Sequence, residues 1–365
     1  MSNENRLNKF IQEIKFPLIS ILLSFIIGGV FIIAIGKNPI VAYGALIDGS
    51  FGGLREFTDA IGRSVPYIFT SLAVAFAFRT GLFNIGAEGQ YVMGTLGTIA
   101  AAYMFRGLPG FLLVPLVLIA GGLSGALWAF IPGILKAKRG VHEVIVTIML
   151  NYTAIYLTNY FVRYHLSPKI IFGEGASDRS ISLIEKARLT EITDVMPGLG
   201  SSALHTGIFV AILCSVIAYI ILFKTTLGYE LRSVGNNPYA SEYGGISISK
   251  NIVLSMTISG VFAGLAGATV VAGNTYQISA EASSPGYGFS GIAVALVGKN
   301  HPIGVVAAAF LFGILDNGAL SMQMEGVPRE VVGIIQGIII VFIAGEQAVK
   351  FISRWMNKDK KVKEA

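Results

Sequence analysis

Lys224 to Lys250 reads KTTLGYELRSVGNNPYASEYGGISISK, a polar, turn-rich stretch between two apolar runs, 203–223 and 251–272, each long enough to cross a bilayer. A chain that returns to water between two such runs is a polytopic membrane protein. The stretch also carries a helix signature. Asn237 can cap the first free amides, Pro238 suits the first helical position, and Gly244 and Gly245 supply a left-handed stop. These predict a short helix over Pro238–Tyr243. A helix of barely two turns is unstable alone in water, and the flanking spans can hold only one side of it. The segment therefore reads either as an ordinary capped turn or as a docking element whose other side a partner protein covers.

Outside this loop the composition agrees. The chain is 53% hydrophobic and 13% charged, with a mean hydropathy of +0.69, against roughly 25% charged residues in a soluble domain. Apolar runs lie at 17–36, 60–79, 85–105, 111–135, 143–162, 203–223, 251–272, 288–299, 302–320 and 329–347. The expected fold is an all-α polytopic membrane protein of about ten transmembrane helices, with broken or half helices near its centre. Asn300, His301 and Pro302 split one apolar stretch into a hairpin of two short helices.

An even number of spans puts both termini on one side, and both are basic: Arg6, Lys9 and Lys15 at the start, Lys350 to Lys363 at the end. The positive-inside rule makes that side the cytoplasm, with Arg79, Lys136, Lys138, Arg139, Lys224, Arg232, Lys250 and Lys299 falling inside as well. The organisation that follows is a cytoplasmic tail over 1–16, a transmembrane domain over 17–347 and a basic cytoplasmic tail over 348–365. The first run keeps its leader as an anchor, having no small-residue cleavage site. Within the domain, 224–250 is a cytoplasmic loop and 163–202 an outer segment, in which Ile181–Leu189 is expected to form a surface helix. The net charge of +6 suits the anionic lipid of the inner leaflet rather than nucleic acid.

Several chemistries are excluded. There is no phosphate-binding loop, metal-ligand cluster or nucleophile triad, so the chain carries no metal and no cofactor of its own, and energy must come from a gradient or another subunit. GYGFSG at Gly286–Gly291 matches a dinucleotide pattern but opens an apolar run, where its glycines serve close helix packing. Asn151-Tyr152-Thr153 has the glycosylation pattern inside a span, where no glycan can go. The single cysteine, Cys214, excludes an internal disulfide.

Arg79 to Gly94, RTGLFNIGAEGQYVMG, interrupts apolar sequence with glycines, an Asn, a Glu and a Gln. It reads as a broken helix facing the centre of the bundle, because irregular backbone at membrane depth survives only where protein or a water-filled cavity satisfies it. Asn84 can cap the new helix and is also a candidate for the solute pathway. Glu88 is a dipole partner in its first turn, a mate for Arg79, or a pathway residue; Gln90 is a pathway candidate. Asn151, Asn274, Gln277 and Asp316 are further candidates, each as readily a helix-packing hydrogen bond. Spans with so few central charges suit a neutral solute such as a sugar or nucleoside better than an ion. SGVFAGLAGATVVAG, Ser259–Gly273, allows close helix approach.

Taken together and in order, GLFNIGAEGQ (81–90), GVHEVIVTIMLNY (140–152), LRSVGNNPYASEYGGIS followed by SGVFAGLAGA, and GYGFSGIAVALVGKNHPIG (286–304) resemble one family over nearly the whole chain. It is the permease subunit of bacterial ABC importers for branched-chain amino acids, ribose and nucleosides, and the motifs look most like its nucleoside branch, of the guanosine type. The resemblance implies a multi-pass protein of the bacterial plasma membrane. Its partners would be a second permease, a related but different chain, a cytoplasmic ATPase that binds the ATP, and an extracellular solute-binding lipoprotein. The family's ATPase contact maps onto Gly228, Arg232, Gly235, Asn236, Asn237, Pro238, Tyr239, Ala240, Glu242, Tyr243 and Gly244. A simple-sugar permease of the ribose type and an autonomous gradient-driven transporter remain the alternatives.

Overall fold

The structure is a computed structural model that describes residues 3–173, 175, 177–195, 202–280, 285–343 and 345, side chains included except at 3–16, 194 and 195. The tail at 348–365 lies outside the described residues. The helices are α1 (Asn3–Ala34), α2 (Pro39–Phe51), α3 (Leu54–Phe78), α4 (Ala87–Met104), α5 (Gly110–Arg139), α6 (Glu143–Phe161), α7 (Pro168–Phe172), α8 (Ile192–Val195), α9 (Gly207–Lys224), α10 (Thr226–Asn236), α11 (Pro238–Tyr243), α12 (Ile248–Val270), α13 (Tyr287–Val297), α14 (Pro302–Met324) and α15 (Glu330–Ile343). Single π-helical turns follow α6 (Val162–Leu166) and α12 (Val271–Thr275). No strand occurs among the described residues, only isolated bridges at Arg179–Ser279 and Glu191–His205.

Each of the ten expected apolar runs coincides with a helix, but among the described residues seven helices are both long and apolar enough to cross a membrane. The other three fall short for separate reasons. α13 has 11 residues, α15 belongs to the shorter apolar helices, and α4 is diluted by Glu88, Gln90 and its glycines. The hairpin turn between α13 and α14 is present, with Lys299 and Asn300 both left-handed at φ 54 and 51. α2 is an apolar helix with no counterpart among the expected runs; its first free amide, Ile40 N, donates to Asn38 Oδ1 at 2.9 Å.

The described residues form two compact units, one within 50–317 and one that combines those before 50 with those after 317. In the larger unit α3 is the most enclosed span, with every residue from Ser64 to Ala77 buried. α4, α5 and α12 approach through glycine: a side chain on Gly264 would strike the carbonyl of Gly121, one on Gly260 that of Gly125, and one on Gly94 that of Gly264. Without a hydrophobic drive between helices in lipid, such close van der Waals approach is a main source of cohesion. Lys136 and Glu143 pair at 2.9 Å across the turn from α5 to α6. In the smaller unit Gly28 lies against Ile335 and the Tyr43 hydroxyl, which donates to the Phe25 carbonyl.

Ile181–Leu189 is not a surface helix. It runs extended into one 3-10 turn, Glu185–Ala187. Ile181, Leu183, Ala187 and Leu189 are buried in a cluster with α4, α5 and the end of α12. Its amides are taken by the turn after α12: Leu183 N donates to the Tyr276 carbonyl at 2.6 Å and Leu189 N to that of Ala272 at 2.8 Å. Extended backbone puts alternate side chains on one face, which is why a segment of mixed polarity packs as a cover.

Candidate functional site

α3 ends at Phe78, α4 begins at Ala87, and the irregular backbone between them is enclosed, with Leu82, Asn84 and Ala87 all buried. The start of α4 is not capped by Asn84. Its N-cap is Gly86, which has no side chain to offer. The cap comes from α6, where Asn151 Oδ1 accepts from Gly89 N at 2.8 Å while its Nδ2 donates to the Ile85 carbonyl at 3.0 Å. Asn84 faces Gln90 instead, the two amides exchanging hydrogen bonds at 2.9 and 3.1 Å, and Asn84 Nδ2 also donates to Ser259 Oγ at 2.7 Å. Ser259 passes the chain on to the Ala73 carbonyl at 2.6 Å. This network is buried and internally satisfied, so it fixes the break rather than lining an open passage.

Glu88 is no partner of Arg79. Its Oε1 accepts from Gly286 N at 2.8 Å, and its Oε2 accepts from Gly288 N at 2.5 Å and Phe289 N at 3.3 Å. A carboxyl group from the first turn of α4 thereby caps α13. The glycines of the GYGFSG motif serve this approach, since a side chain on Gly288 would collide with the Glu88 backbone and one on Gly291 with Thr70. Arg79 is engaged elsewhere: its Nε donates to the Asn300 carbonyl at 2.8 Å and its Nη2 to that of Lys299 at 3.4 Å, clamping the α13–α14 turn.

Against the segment that follows α7 lies a cavity of about 380 Å³, lined among others by Tyr91, Thr95, Thr158, Asn159, Arg179, Thr275, Gln277 and Ser279. Of the seven pathway candidates, only Gln277 lines it. Asn274 lies near by but is committed to His205, with Asn274 Oδ1 and His205 Nε2 3.0 Å apart and Asn274 Nδ2 donating to the Ala203 carbonyl at 3.2 Å. His205 Nδ1 accepts from Gly207 N at 3.1 Å. Burial holds the His205 imidazole down at about 4, below its usual value, against the opposing pull of Asn274 and Glu191. Asp316 pairs with Arg63 at 3.3 Å. Arg179 and Ser279 went unnoticed in the sequence because both sit in loop segments that only the tertiary fold brings together.

At the other end of the larger unit, α11 forms over the expected Pro238–Tyr243, and Asn237 Oδ1 accepts from Ala240 N at 3.1 Å. The left-handed stop is Gly245 alone, at φ 81; Gly244 has φ −78. The polar run before it is also helical, forming α10, with Gly228, Leu231 and Val234 buried. On α11 only Ser241 is buried, while Tyr239 and Tyr243 are 83% and 98% exposed. Beside them a polar cavity of about 290 Å³ is lined by Phe78, Arg79, Arg232, Gly235, Asn236, Lys299 and Asn300. Arg79 and Arg232 both stand over the Phe223 ring, 5.4 and 5.2 Å from its centroid. Burial, and then Arg232, lower the Arg79 guanidinium below its usual value; burial, and then Arg79, lower His301. The arrangement exposes one short helix next to a cationic hollow.

Comparison with known proteins agrees with this architecture. The chain is 45% identical to the guanosine ABC transporter permease protein NupP of Bacillus subtilis, over 96% of this chain and 98% of that one. It is 39% identical to the nucleoside ABC transporter permease protein NupB of Lactococcus lactis, over 95% and 93%. A second Bacillus subtilis protein, the guanosine ABC transporter permease protein NupQ, is 31% identical over 73% of this chain and 83% of its own length. No solved structure matches the chain. Residues 57–344 match the family described as branched-chain amino acid transport system / permease component, and this multi-pass membrane protein belongs to that family.

Proposed function

We propose that this chain is one permease subunit of an ABC importer for nucleosides, of the guanosine type, in the bacterial plasma membrane. The observation that carries the reading is end-to-end similarity to a guanosine permease at 45% identity. The existence of two guanosine permease proteins in one organism, both similar to this chain, supports pairing with a second, related permease. ATP is then bound and hydrolysed by a cytoplasmic ATPase, solute is delivered by an extracellular binding lipoprotein, and the chain itself needs no cofactor. Ten membrane crossings with both termini in the cytoplasm fit the basic ends.

In this reading α11 is the element that meets the ATPase, with Tyr239 and Tyr243 as its contacts, and the cavity at Gln277 belongs to the solute path. A volume of about 380 Å³ falls within the usual range for small-molecule sites, roughly 300–1,000 Å³. Asn84, Glu88, Gln90, Asn151 and Asn274 act from behind its wall, holding broken and half helices in place. The test is purification of the tagged chain from its native membrane in mild detergent. Co-purification of an ATPase whose turnover rises with nucleoside is expected. Recovery of the chain alone, able to accumulate nucleoside on an ion gradient, would replace this reading with that of a secondary transporter.

A further inference from the structure

Arg79, Arg232 and Lys299 come from three distant parts of the chain, the end of α3, the middle of α10 and the turn between α13 and α14, and together line the polar hollow of about 290 Å³. No carboxylate lines it among the described residues. Glu230, an acid of α10, is turned to Asn251, whose Nδ2 donates to it at 3.1 Å. Neither Arg79 nor Arg232 has an ion pair among the described residues. The two guanidinium groups share the Phe223 ring, close enough for Arg232 to add to burial in lowering Arg79 below its usual value. Like charges held this near one another cost free energy that an anion between them would offset.

The two side chains cannot simply swing apart. Arg79 Nε and Nη2 are fixed to the carbonyls of Asn300 and Lys299, and Arg232 Nε donates to the Gly228 carbonyl at 3.2 Å. Those carbonyls are dipoles and leave the charge standing. The terminal nitrogens of Arg232 make no hydrogen bond among the described residues, and a guanidinium fork matches the oxygens of a carboxylate or a phosphate. The exposed residues of the wall, Asn236 and Lys299, mark the mouth; Phe78, Arg79, Arg232 and Asn300 are half-buried. A lipid phosphate would bring acyl chains that need an apolar track, and Phe78 is the one apolar side chain among the described residues that line the hollow. A protein carboxylate needs a docking surface beside the mouth, and that surface exists. Asn236 ends α10 just before α11, so a partner that covers the exposed Tyr239 and Tyr243 also stands over the hollow.

Resting on the reading of this chain as an ABC permease, we propose that the hollow is the receptor for a carboxylate of the ATPase, an Asp or Glu side chain that enters from the surface covering α11. The tyrosines of α11 supply contact area, and the hollow fixes register, because a carboxylate seated on a guanidinium fork has one position along α10 and α11. Arg79 belongs to the end of α3 and clamps the α13–α14 turn, so the contact ties the ATPase to those elements as well as to α11.

The experiment uses the permease complex in lipid nanodiscs and the ATPase recovered with it from the native membrane, with R232A, R232E, R232K and N236D as variants. ATPase binding is expected to weaken at least about tenfold in R232A and about a hundredfold in R232E. It should weaken in N236D, where an acid of the chain's own enters the mouth, and return in part in R232K, which keeps the charge without the fork. Wild-type binding should fall with added salt more steeply than binding to R232A. Without ATPase, the melting temperature of R232A should stay at or above the wild-type value, because Arg79 loses a like charge. Exchange of one Asp or Glu of the ATPase for Lys should restore binding to R232E and so identify the carboxylate. Undiminished binding in R232E, or a loss of binding found only together with a lower melting temperature, would overturn the proposal. Arg232-dependent retention of phosphatidylglycerol with ATPase binding unchanged would overturn it in favour of a lipid phosphate. If R232E fails to fold, N236D and the salt dependence of R232A still decide. Failure of the wild-type complex to bind any ATPase would instead remove the functional reading itself.

Discussion

Glu88 on α4 and Gly288 on α13 are joined by a 2.5 Å hydrogen bond, the central one of three by which one carboxyl group holds the first turn of another helix. α13 is short, and its start carries no capping side chain of its own, since its N-cap is Gly286. Its position therefore depends on α4.

Removing that carboxyl should loosen α13. E88A leaves buried amides without an acceptor and should cost about 3 kcal/mol, while E88Q, which keeps one oxygen but turns an amide group toward N–H donors, should cost roughly 1–3 kcal/mol. Thermal unfolding in detergent measures both. A wild-type melting temperature for E88A would show that α13 is held by packing alone.

Asn84 and Gln90 should behave as one unit. Each amide satisfies part of the other, so deleting Gln90 leaves Asn84 Oδ1 without its donor and deleting Asn84 leaves both ends of the Gln90 amide without these bonds. In a double-mutant cycle of N84A and Q90A the coupling should be about 0.5–3 kcal/mol. Strict additivity would contradict the exchange of hydrogen bonds.

The contact between α5 and α12 leaves no room for growth. G264A pushes a methyl group against the Gly121 carbonyl and should cost about 1–3 kcal/mol; G264L should prevent accumulation of folded protein. G333A, at a position with open space around its backbone, is the control for handling a Gly-to-Ala change in this protein.

Y239A should separate assembly from stability. With Tyr239 83% exposed, its loss should shift stability by no more than about 0.5 kcal/mol. Binding of the ATPase should weaken by tenfold or more if this ring is an anchor at that contact, since buried interface tyrosines often carry about 2 kcal/mol or more. Replacement of Gly235 would be a poorer test, because a side chain there would collide with the Arg79 carbonyl and disturb the fold itself.

Acid should act through His205. Its folded value of about 4 lies below the ordinary histidine value, so the fold favours the neutral ring. Stability is present above about pH 6.5 and is lost as pH falls toward 4, by up to about 3 kcal/mol. The cause is local, because Nδ1 already accepts from Gly207 N, and a proton placed there would face that N–H. Melting temperature measured from pH 7 to pH 4 should decline over this window and decline less in H205Q.

Much of the fold was legible in the sequence because it rests on local physics. Membrane helices are set by runs of apolar residues, and α11 by Asn237 and Pro238, whose capping chemistry acts within four residues. The glycines of Ser259–Gly273 announced close packing because only a residue without Cβ lets two backbones meet. These features depend on residue type and spacing alone, and so does the resemblance carried by the four motifs.

The partners of the buried polar groups were not legible. Asn84, Glu88 and Asn151 were each visible as costly residues that need a hydrogen bond, but local reasoning offered Asn84 the amides of the nearest helix and left Glu88 between its own helix dipole, the nearest cation and a solute path. The fold assigns Asn84 to Gln90 and Ser259, Glu88 to α13 and Asn151 to α4, over separations of up to about two hundred residues. Ile181–Leu189 misled for the same reason, since the backbone it pairs with lies beyond α9 and α12. Sequence determined which groups had to be satisfied and which stretches had to be helical. Only the tertiary structure decided who satisfies whom, because a hydrogen bond between distant elements depends on where packing brings them, and that is encoded in the whole set of helix contacts rather than in any one segment.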